Sequence, residues 1–152
     1  NVIATLGSPN RIDRAALIQP VVPGLAPVAV LIGGPNKAFG FSAGDAAAIA
    51  DKLISLQMPL DVTLSRRTPA EAADVLRDRL GAAAARFFDP AKDAASDNPY
   101  PAMLGTARAI FVTEDSVNMA AEAASTGRPV YILPLRRKPL ASARKFDSFH
   151  ED

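Results

Sequence analysis

A glycine-rich segment with two potential phosphate donors follows the most apolar run of the sequence. Gly33 and Gly34 come directly after the run Val28–Ile32, and Asn36 and Lys37 follow after one proline. Glycine lets a ligand approach the backbone closely, and amide and ammonium groups donate hydrogen bonds to phosphate oxygens. The segment matches neither a Walker loop nor the dinucleotide fingerprint. It is therefore a candidate phosphate site, although an ordinary strand-to-helix turn would also explain it.

Two adjacent arginines mark a second candidate site, directly after a short apolar segment at 61–64. The site comprises Ser65, Arg66, Arg67 and Thr68. Guanidinium groups beside a helix N-terminus bind anions. Thr68 followed by Pro69 and Glu71 predicts a helix that starts with a capping box. The alternative is a solvated basic turn in which the threonine only caps the helix.

A third candidate site lies at the start of a helix predicted over 115–126. Its residues are Thr113, Glu114, Asp115, Ser116, Asn118 and Glu122. Hydroxyl groups and free backbone amides at a helix start suit a diphosphate. Glu122 lies seven residues after Asp115, about 10 Å along the helix axis. A carboxylate there could accept hydrogen bonds from ribose hydroxyls. A solvated helix face is the alternative interpretation.

Aromatic residues supply a weaker candidate for the base of a nucleotide. Phe88 and Tyr100 flank a polar, proline-rich segment after a predicted strand, and aromatic rings can stack on a base. The two phenylalanines Phe87 and Phe88 would also fit a hydrophobic core.

The elements that must position these segments alternate between short apolar strands and longer helical stretches. Strands are predicted at 28–32, 61–64, 86–88, 109–112 and 129–133, with helices at 45–57, 69–80, 102–107 and 115–126. Ser42 and Asp45 have the spacing of a helix cap. Strands that alternate with helices form a parallel sheet with right-handed crossovers. The predicted fold class is α/β: a doubly wound, Rossmann-like parallel sheet of about five strands with helices on both faces. Ligands bind beyond the carboxyl ends of such strands, where the candidate segments lie.

Composition limits the classes of function. The 152 residues are 49% hydrophobic and 22% charged with a net charge of +1, as in a globular domain with no general attraction to nucleic acid. There is no cysteine and the single histidine is His150, which argues against a metal site and a histidine-based triad.

We expect 24–135 to form the nucleotide-binding domain. We expect 1–23, with a strand at 2–6, to end a missing N-terminal domain, because Asn1 is not an initiator methionine, and 136–152 to form a basic tail.

Four blocks of the sequence together resemble the mitochondrial fission (elongated-mitochondria) family and its bacterial relatives. They are 33–39 (GGPNKAF), 65–69 (SRRTP), 98–100 (NPY) and 113–132, which contains TEDSVNM and TGRPVYI. That family in turn resembles the donor-binding domain of GT-B glycosyltransferases. This resemblance implies a nucleoside diphosphate sugar as ligand, with no covalently bound cofactor. It implies that Glu122 contacts the ribose and that the helix start at Asp115 and Ser116 faces the diphosphate. Acceptor and catalytic base would come from the missing domain, so the catalytic residues in this chain are unknown.

Two other functions fit parts of the sequence. Arg66 and Arg67 at a strand end are similar to an NADP 2′-phosphate pocket, although the glycine fingerprint is missing. The other function is that of a non-enzymatic adaptor in division, with peripheral membrane contact. It would use the basic residues Arg136, Arg137, Lys138, Arg144 and Lys145 to attract anionic lipid. A bacterial member is expected in the cytoplasm, with the inner membrane as a peripheral contact.

Overall fold

A computed structural model describes residues 26–139 of the chain. In chain order its elements are β1 (Val28–Ile32), β2 (Phe39–Gly40), α1 (Ala43–Ser55), β3 (Leu60–Leu64), α2 (Ala70–Leu80), β4 (Ala84–Phe88), a 3₁₀ turn (Ala95–Asp97), α3 (Tyr100–Thr106), β5 (Ala109–Thr113), α4 (Val117–Ser125), β6 (Val130–Leu133) and β7 (Arg136–Arg137). The strand predicted at 2–6 and the basic residues Arg144 and Lys145 lie outside the described residues.

Five parallel strands form the central sheet in the order β4-β3-β1-β5-β6. The chain moves from β1 to one side through β3 and β4, then returns to the other side of β1 through β5 and β6. The gap between β1 and β5 is therefore the topological switch point, where open α/β sheets bind ligands. The predicted fold class is confirmed, as is the parallel arrangement of the five strands.

The sheet has a hydrophobic core on each face. Val28, Val30 and Ile32 of β1 face a cluster that contains buried residues of α1 and α2. Ala29 and Leu31 face a second cluster with residues of α3 and α4. Because β1 is covered on both faces, all five of its residues are aliphatic and buried, as expected for a central parallel strand.

Helix α1 follows its sequence pattern closely. Ala46, Ile49, Ala50 and Leu53 are buried at the spacing of one helix face. Ser42 is the N-cap, and its side chain and that of Asp45 form a reciprocal capping box. The predicted pairing of Ser42 with Asp45 is confirmed.

Two local predictions are wrong. Helix α2 begins at Ala70, its N-cap is Pro69, and no side chain caps it, so the capping box of Thr68 and Glu71 does not form. Helix α4 begins at Val117 with Ser116 as N-cap, so Asp115 lies in the turn before the helix. The Thr68 hydroxyl instead donates to the carbonyl of Gly33, in the loop after β1.

A small antiparallel ladder was not predicted. β2 pairs with β7, with Phe39 opposite Arg137 and Gly40 opposite Arg136. The guanidinium of Arg137 also lies over the Phe39 ring, 5.8 Å from its centroid. The first residues after β6 therefore pack back onto the loop that follows β1. Among residues 26–139, no helix combines the length and the hydropathy that a membrane span requires.

Candidate functional site

The loops that follow β1, β3 and β5 meet at the switch point and are joined by hydrogen bonds. We call this the three-loop cluster; its residues are Gly33, Gly34, Arg67, Thr68, Thr113 and Asp115. The backbone N–H of Gly33 donates to Oγ1 of Thr113 at 2.7 Å, and that of Gly34 donates to Oδ2 of Asp115 at 3.0 Å. The side chains of the β5 loop therefore occupy both amides of the glycine turn.

Arg67 completes the contacts of the Asp115 carboxylate. Its Nη2 donates to the same oxygen, Oδ2, at 2.9 Å. The Asp115 side chain is fully buried, whereas 48% of the Arg67 side chain remains exposed. Asp115 Oδ1 is buried too, but it has no hydrogen-bond partner within the described residues.

Both glycines are required by the closeness of these loops. A Cβ on Gly33 would overlap the Asp115 carboxylate, and one on Gly34 would overlap the backbone carbonyl of Arg67. The sequence predicts that these glycines let a ligand approach the backbone closely. In the structure the groups that approach this closely are the chain's own, the Asp115 carboxylate and the Arg67 carbonyl.

Thr68 and Ser65 tie the β3 loop to the end of β1. Thr68 Oγ1 donates to the carbonyl of Gly33 at 2.6 Å and accepts the N–H of Ser65 at 3.1 Å. The hydroxyl of Ser65 accepts the N–H of Arg67 at 3.1 Å. These two side chains therefore fix the backbone that carries the arginines.

Asn36 organises the loop after β1. Its Oδ1 accepts the backbone N–H groups of Ala38 and Phe39, and its Nδ2 donates to the carbonyl of Asp115 at 3.1 Å. The ammonium group of Lys138 donates to the Asn36 carbonyl. The predicted donor to phosphate thus has a structural role here, in which it holds the β1 and β5 loops together.

Glu114 is buried and points to the other side of the turn. Its Oε2 accepts the N–H of Leu135 at 3.2 Å, and its Oε1 accepts a bond from Arg137 Nη2 at 2.9 Å. Glu114 is one of the residues that the sequence predicts to contact a diphosphate. Its described partners instead belong to the segment that carries β7.

Three cationic side chains remain exposed around the cluster. Lys37 and Arg66 are exposed and make no hydrogen bond or ion pair within residues 26–139, while Arg67 is only partly engaged by Asp115. Lys37 follows β1 and the two arginines follow β3, an adjacent parallel strand. Their positive charge is therefore presented at one edge of the sheet.

The start of α4 lies at the same edge, since β5 is the other neighbour of β1. Ser116 caps the helix by accepting the N–H of Met119. The first backbone amides of a helix have no partner within it, so the amides of Val117 and Asn118 are available to an anion. Asn118 itself is exposed.

Among residues 26–139, Glu122 pairs with Tyr100 and makes no hydrogen bond to the three-loop cluster. The Tyr100 hydroxyl donates to Oε2 of Glu122. Burial, followed by the hydrogen bond to Glu122, raises the pKa of Tyr100 above its ordinary value. Tyr100 and Glu122, two of the predicted nucleotide contacts, thus lie together. Among the described residues, Oε1 of Glu122 accepts no hydrogen bond.

The other predicted base contact, Phe88, is buried in β4. Its Cα lies opposite Thr63 of β3. Phe88 also lines a cavity of about 440 Å³ that Arg86, Lys92 and Asp93 border. Phe88 is therefore buried in its strand and borders a cavity that four charged residues also line.

Sequence reasoning missed the Asp115–Arg67 bond and a second buried ion pair. Asp61 of β3 is 1% exposed and accepts bonds from Arg86 Nη2 and Nε at 2.5 and 3.2 Å. A charged residue inside an apolar strand was the available signal for Asp61. In residues 26–139 no group of three or more histidine, aspartate or glutamate side chains is placed to hold a metal ion.

Comparisons with known proteins place the whole chain in one group. The model of the family described as mitochondrial fission ELM1 matches residues 1–152. An uncharacterized protein of Rickettsia prowazekii is 40% identical over 108 residues, which cover 68% of this chain and 30% of that protein. The mitochondrial fission protein ELM1 of Arabidopsis thaliana is 30% identical over 150 residues, which cover 88% of this chain and 33% of that protein. The chain thus spans about a third of the length of these relatives. No solved structure matches it significantly.

Proposed function

This chain belongs to the mitochondrial fission ELM1 family, and on that premise we propose that it binds a nucleoside diphosphate, or its sugar derivative, at the carboxyl edge of its sheet. The observation that carries the proposal is the position of three exposed cations. Lys37 follows β1, which borders the switch point, and Arg66 and the outer part of Arg67 follow β3, the neighbour of β1 on its other side. Phosphate groups are bound there by basic side chains together with the N-terminus of a helix.

The contacts that we assign to the ligand differ from those suggested by sequence. The diphosphate lies outside the three-loop cluster, against Lys37, Arg66 and the free amides at the start of α4. Gly33, Gly34, Thr68 and Thr113 shape this surface from behind. Their polar groups hold the loops together and do not contact the ligand.

Glu122 is the residue that we assign to the ribose. It lies six residues after the N-cap Ser116, so about 9 Å along the helix axis, which is compatible with a ribose next to a diphosphate. Tyr100 fixes one carboxylate oxygen of Glu122, and the other accepts the ribose hydroxyls. The resemblance to GT-B glycosyltransferases motivates this assignment, and in such an enzyme the catalytic base would lie outside this chain.

Calorimetric titration and thermal melting with UDP, GDP and ADP test the proposal. A nucleoside diphosphate should bind and raise the melting temperature. Arg66→Ala and Glu122→Gln should each weaken binding about tenfold, since each removes one charge-assisted hydrogen bond. Arg108→Ala is the matched control, because Arg108 is an exposed arginine just before β5, at the opposite edge of the sheet. Equal affinity of all variants, or no binding of any of the three nucleotides at millimolar concentration, would contradict the proposal.

A second candidate is a non-enzymatic adaptor at a membrane, and the Arabidopsis relative is named for mitochondrial fission. The basic residues after β6 motivate it, but two of them have other contacts. Arg137 is paired with Glu114, and Lys138 donates to the Asn36 carbonyl.

Co-sedimentation with vesicles that contain a third phosphatidylserine tests the adaptor role. Arg136→Gln together with Arg144→Gln and Lys145→Gln should abolish binding if lipid attraction is the function. Arg66→Ala should leave it unchanged. Absence of binding by the unmodified chain would exclude this role for the domain.

A further inference from the structure

Asp115 occupies the inner part of the surface to which the diphosphate is assigned. Its Oδ2 accepts the N–H of Gly34 and a guanidinium N–H of Arg67, at 3.0 and 2.9 Å. An amide of a glycine turn and an arginine are the donors that phosphate oxygens use in proteins. We call this pair of donors the inner cradle.

The Asp115 carboxylate does not cap α4, the helix that follows it. Ser116 is the N-cap of α4 and accepts the N–H of Met119, and the backbone carbonyl of Asp115, rather than its side chain, accepts the bond from Asn36. The side chain of Asp115 is thus turned away from its own helix, toward the donors of the two other loops.

The fit of Asp115 in the inner cradle is incomplete. Oδ1 is buried, lies where a Cβ on Gly33 would be and has no hydrogen-bond partner among the described residues. A buried carboxylate oxygen without a donor destabilises the arrangement that contains it. The Asp115 carboxylate therefore satisfies both donors of the inner cradle, while its own Oδ1 has no donor.

We propose that Asp115 is an internal substitute for an anionic ligand, and that it competes with phosphate groups for Gly34 and Arg67. This inference rests on the proposed function and specifies its regulation. While Asp115 occupies the inner cradle, a diphosphate reaches Lys37, Arg66, the outer part of Arg67 and the amides at the start of α4, but not the Gly34 amide. When Asp115 leaves the inner cradle, the guanidinium of Arg67 and the Gly34 amide become available and the ligand is held more tightly.

The experiment compares inorganic pyrophosphate and UDP as ligands of the unmodified chain and of Asp115→Asn. Asparagine keeps an acceptor for Gly34 but has no charge to engage Arg67. Affinity for pyrophosphate should rise at least tenfold in Asp115→Asn, and the backbone amide resonance of Gly34 should shift on titration. Unchanged or weaker affinity in a folded Asp115→Asn would overturn the inference.

Asp61→Asn is the matched control, because Asp61 is also buried, paired with a half-exposed arginine and left with one unpartnered oxygen. Its affinity for pyrophosphate should equal that of the unmodified chain. A gain like that of Asp115→Asn would show that any freed arginine suffices, and the inference would be wrong.

The two ligands distinguish failure of this inference from failure of the proposed function. If UDP binds the unmodified chain and Asp115→Asn equally, the proposed function stands and the competition does not exist. If pyrophosphate binds only Asp115→Asn and UDP binds neither protein, the competition stands and the nucleotide assignment fails. If Asp115→Asn does not fold, pyrophosphate titration of the unmodified chain must move the Gly34 amide and the Asp115 carboxyl resonances together, and absence of these shifts overturns the inference.

Discussion

Two aspartates of this domain, Asp115 and Asp61, are buried to nearly the same extent but are held in different ways. Each is paired with an arginine whose side chain is about half exposed, 48% for Arg67 and 45% for Arg86. Asp115 also accepts the backbone N–H of Gly34. Within residues 26–139, Asp61 has no hydrogen-bond donor other than Arg86. The first pair is part of a network of three loops, and the second is an isolated pair between adjacent strands.

The difference shows how position in the sheet determines what an ion pair does. Asp115 lies beyond the end of β5, where the loops leave backbone amides that need acceptors. Asp61 lies inside β3, where the ladder already pairs the backbone. Asp115 can therefore exchange with another anion, since its donors suit phosphate, whereas Asp61 has a single partner. We expect the first pair to affect function and the second to affect stability.

The largest effect on stability should come from Gly34→Ala. The new Cβ would overlap the backbone carbonyl of Arg67, and backbone cannot move aside as a flexible side chain can. We expect a loss of about 3 kcal/mol or more in the free energy of unfolding, measured by urea denaturation. Gly44→Ala is the control, because a Cβ there lies 3.7 Å from the Ser42 hydroxyl. It should change stability by less than about 1 kcal/mol. Equal effects of the two substitutions would contradict the close approach of the β1 and β3 loops.

Removal of the two arginines compares the pairs directly. Arg86→Gln leaves the buried Asp61 carboxylate without its described donor and should cost about 2 to 3 kcal/mol, since an isolated buried charge is strongly unfavourable. Arg67→Gln leaves Asp115 with the Gly34 amide and should cost about 1 kcal/mol. Urea unfolding of both variants at neutral pH measures the difference. If Arg67→Gln is the more destabilising, Asp61 has a donor that compensates and the comparison is wrong.

Local patterns were the part of the fold that the sequence predicted well. The strand at 28–32 was placed at the observed residues, and the cap formed by Ser42 and Asp45 was identified. Each depends on residues that are neighbours in the chain, so that periodicity and capping spacing suffice. The alternation of strands and helices predicted the doubly wound parallel sheet, but not the order of its strands.

The three-loop cluster could be located from the sequence, but its internal bonds could not. Thr68 has the spacing of a helix cap, yet its hydroxyl donates to Gly33, 35 positions earlier. Asp115 lies 81 positions from Gly34. Which side chain satisfies a loop amide depends on distances of a few tenths of an ångström between loops, and no pattern along the chain records them.

A third carboxylate, Glu122, is partly buried and has a neutral donor, the Tyr100 hydroxyl. Tyr100→Phe removes the hydroxyl that donates to Glu122 and should cost about 1 to 1.5 kcal/mol at neutral pH. Burial and Glu122 raise the pKa of Tyr100, so its neutral form is favoured in the folded state. The stabilisation is therefore complete below the unfolded-state pKa of about 10 and is lost as pH rises further. Unfolding measured between pH 8 and 11 should show this loss in the unmodified chain and less of it in Tyr100→Phe. An identical pH dependence would mean that the Tyr100 hydroxyl is solvated.

The smallest effect should come from a partly exposed carboxylate, Asp45, in the cap of α1. The side-chain and backbone hydrogen bonds from Ser42 lower the pKa of Asp45. Ser42→Ala removes the N-cap acceptor and one of these donors and should cost about 0.5 to 1 kcal/mol. A carboxyl with a lowered folded-state pKa stabilises above its unfolded-state pKa and loses that contribution as pH falls through the folded value. The cost of Ser42→Ala should therefore be largest near neutral pH and shrink in acid.

Thr68→Ala is the control for this cap, because Thr68 has the same sequence spacing but bonds to Gly33 and caps no helix. The loss of stability caused by Thr68→Ala should not change between pH 3 and 7 as that of a capping box would, because Glu71 makes no reciprocal capping bond. Helix content should follow the same division, with a small loss in the α1 region for Ser42→Ala and none in α2 for Thr68→Ala, measured from amide hydrogen exchange. A loss of protection in α2 would show that the hydroxyl caps the helix after all, and the three-loop cluster would then lack the bond that joins β1 to the β3 loop.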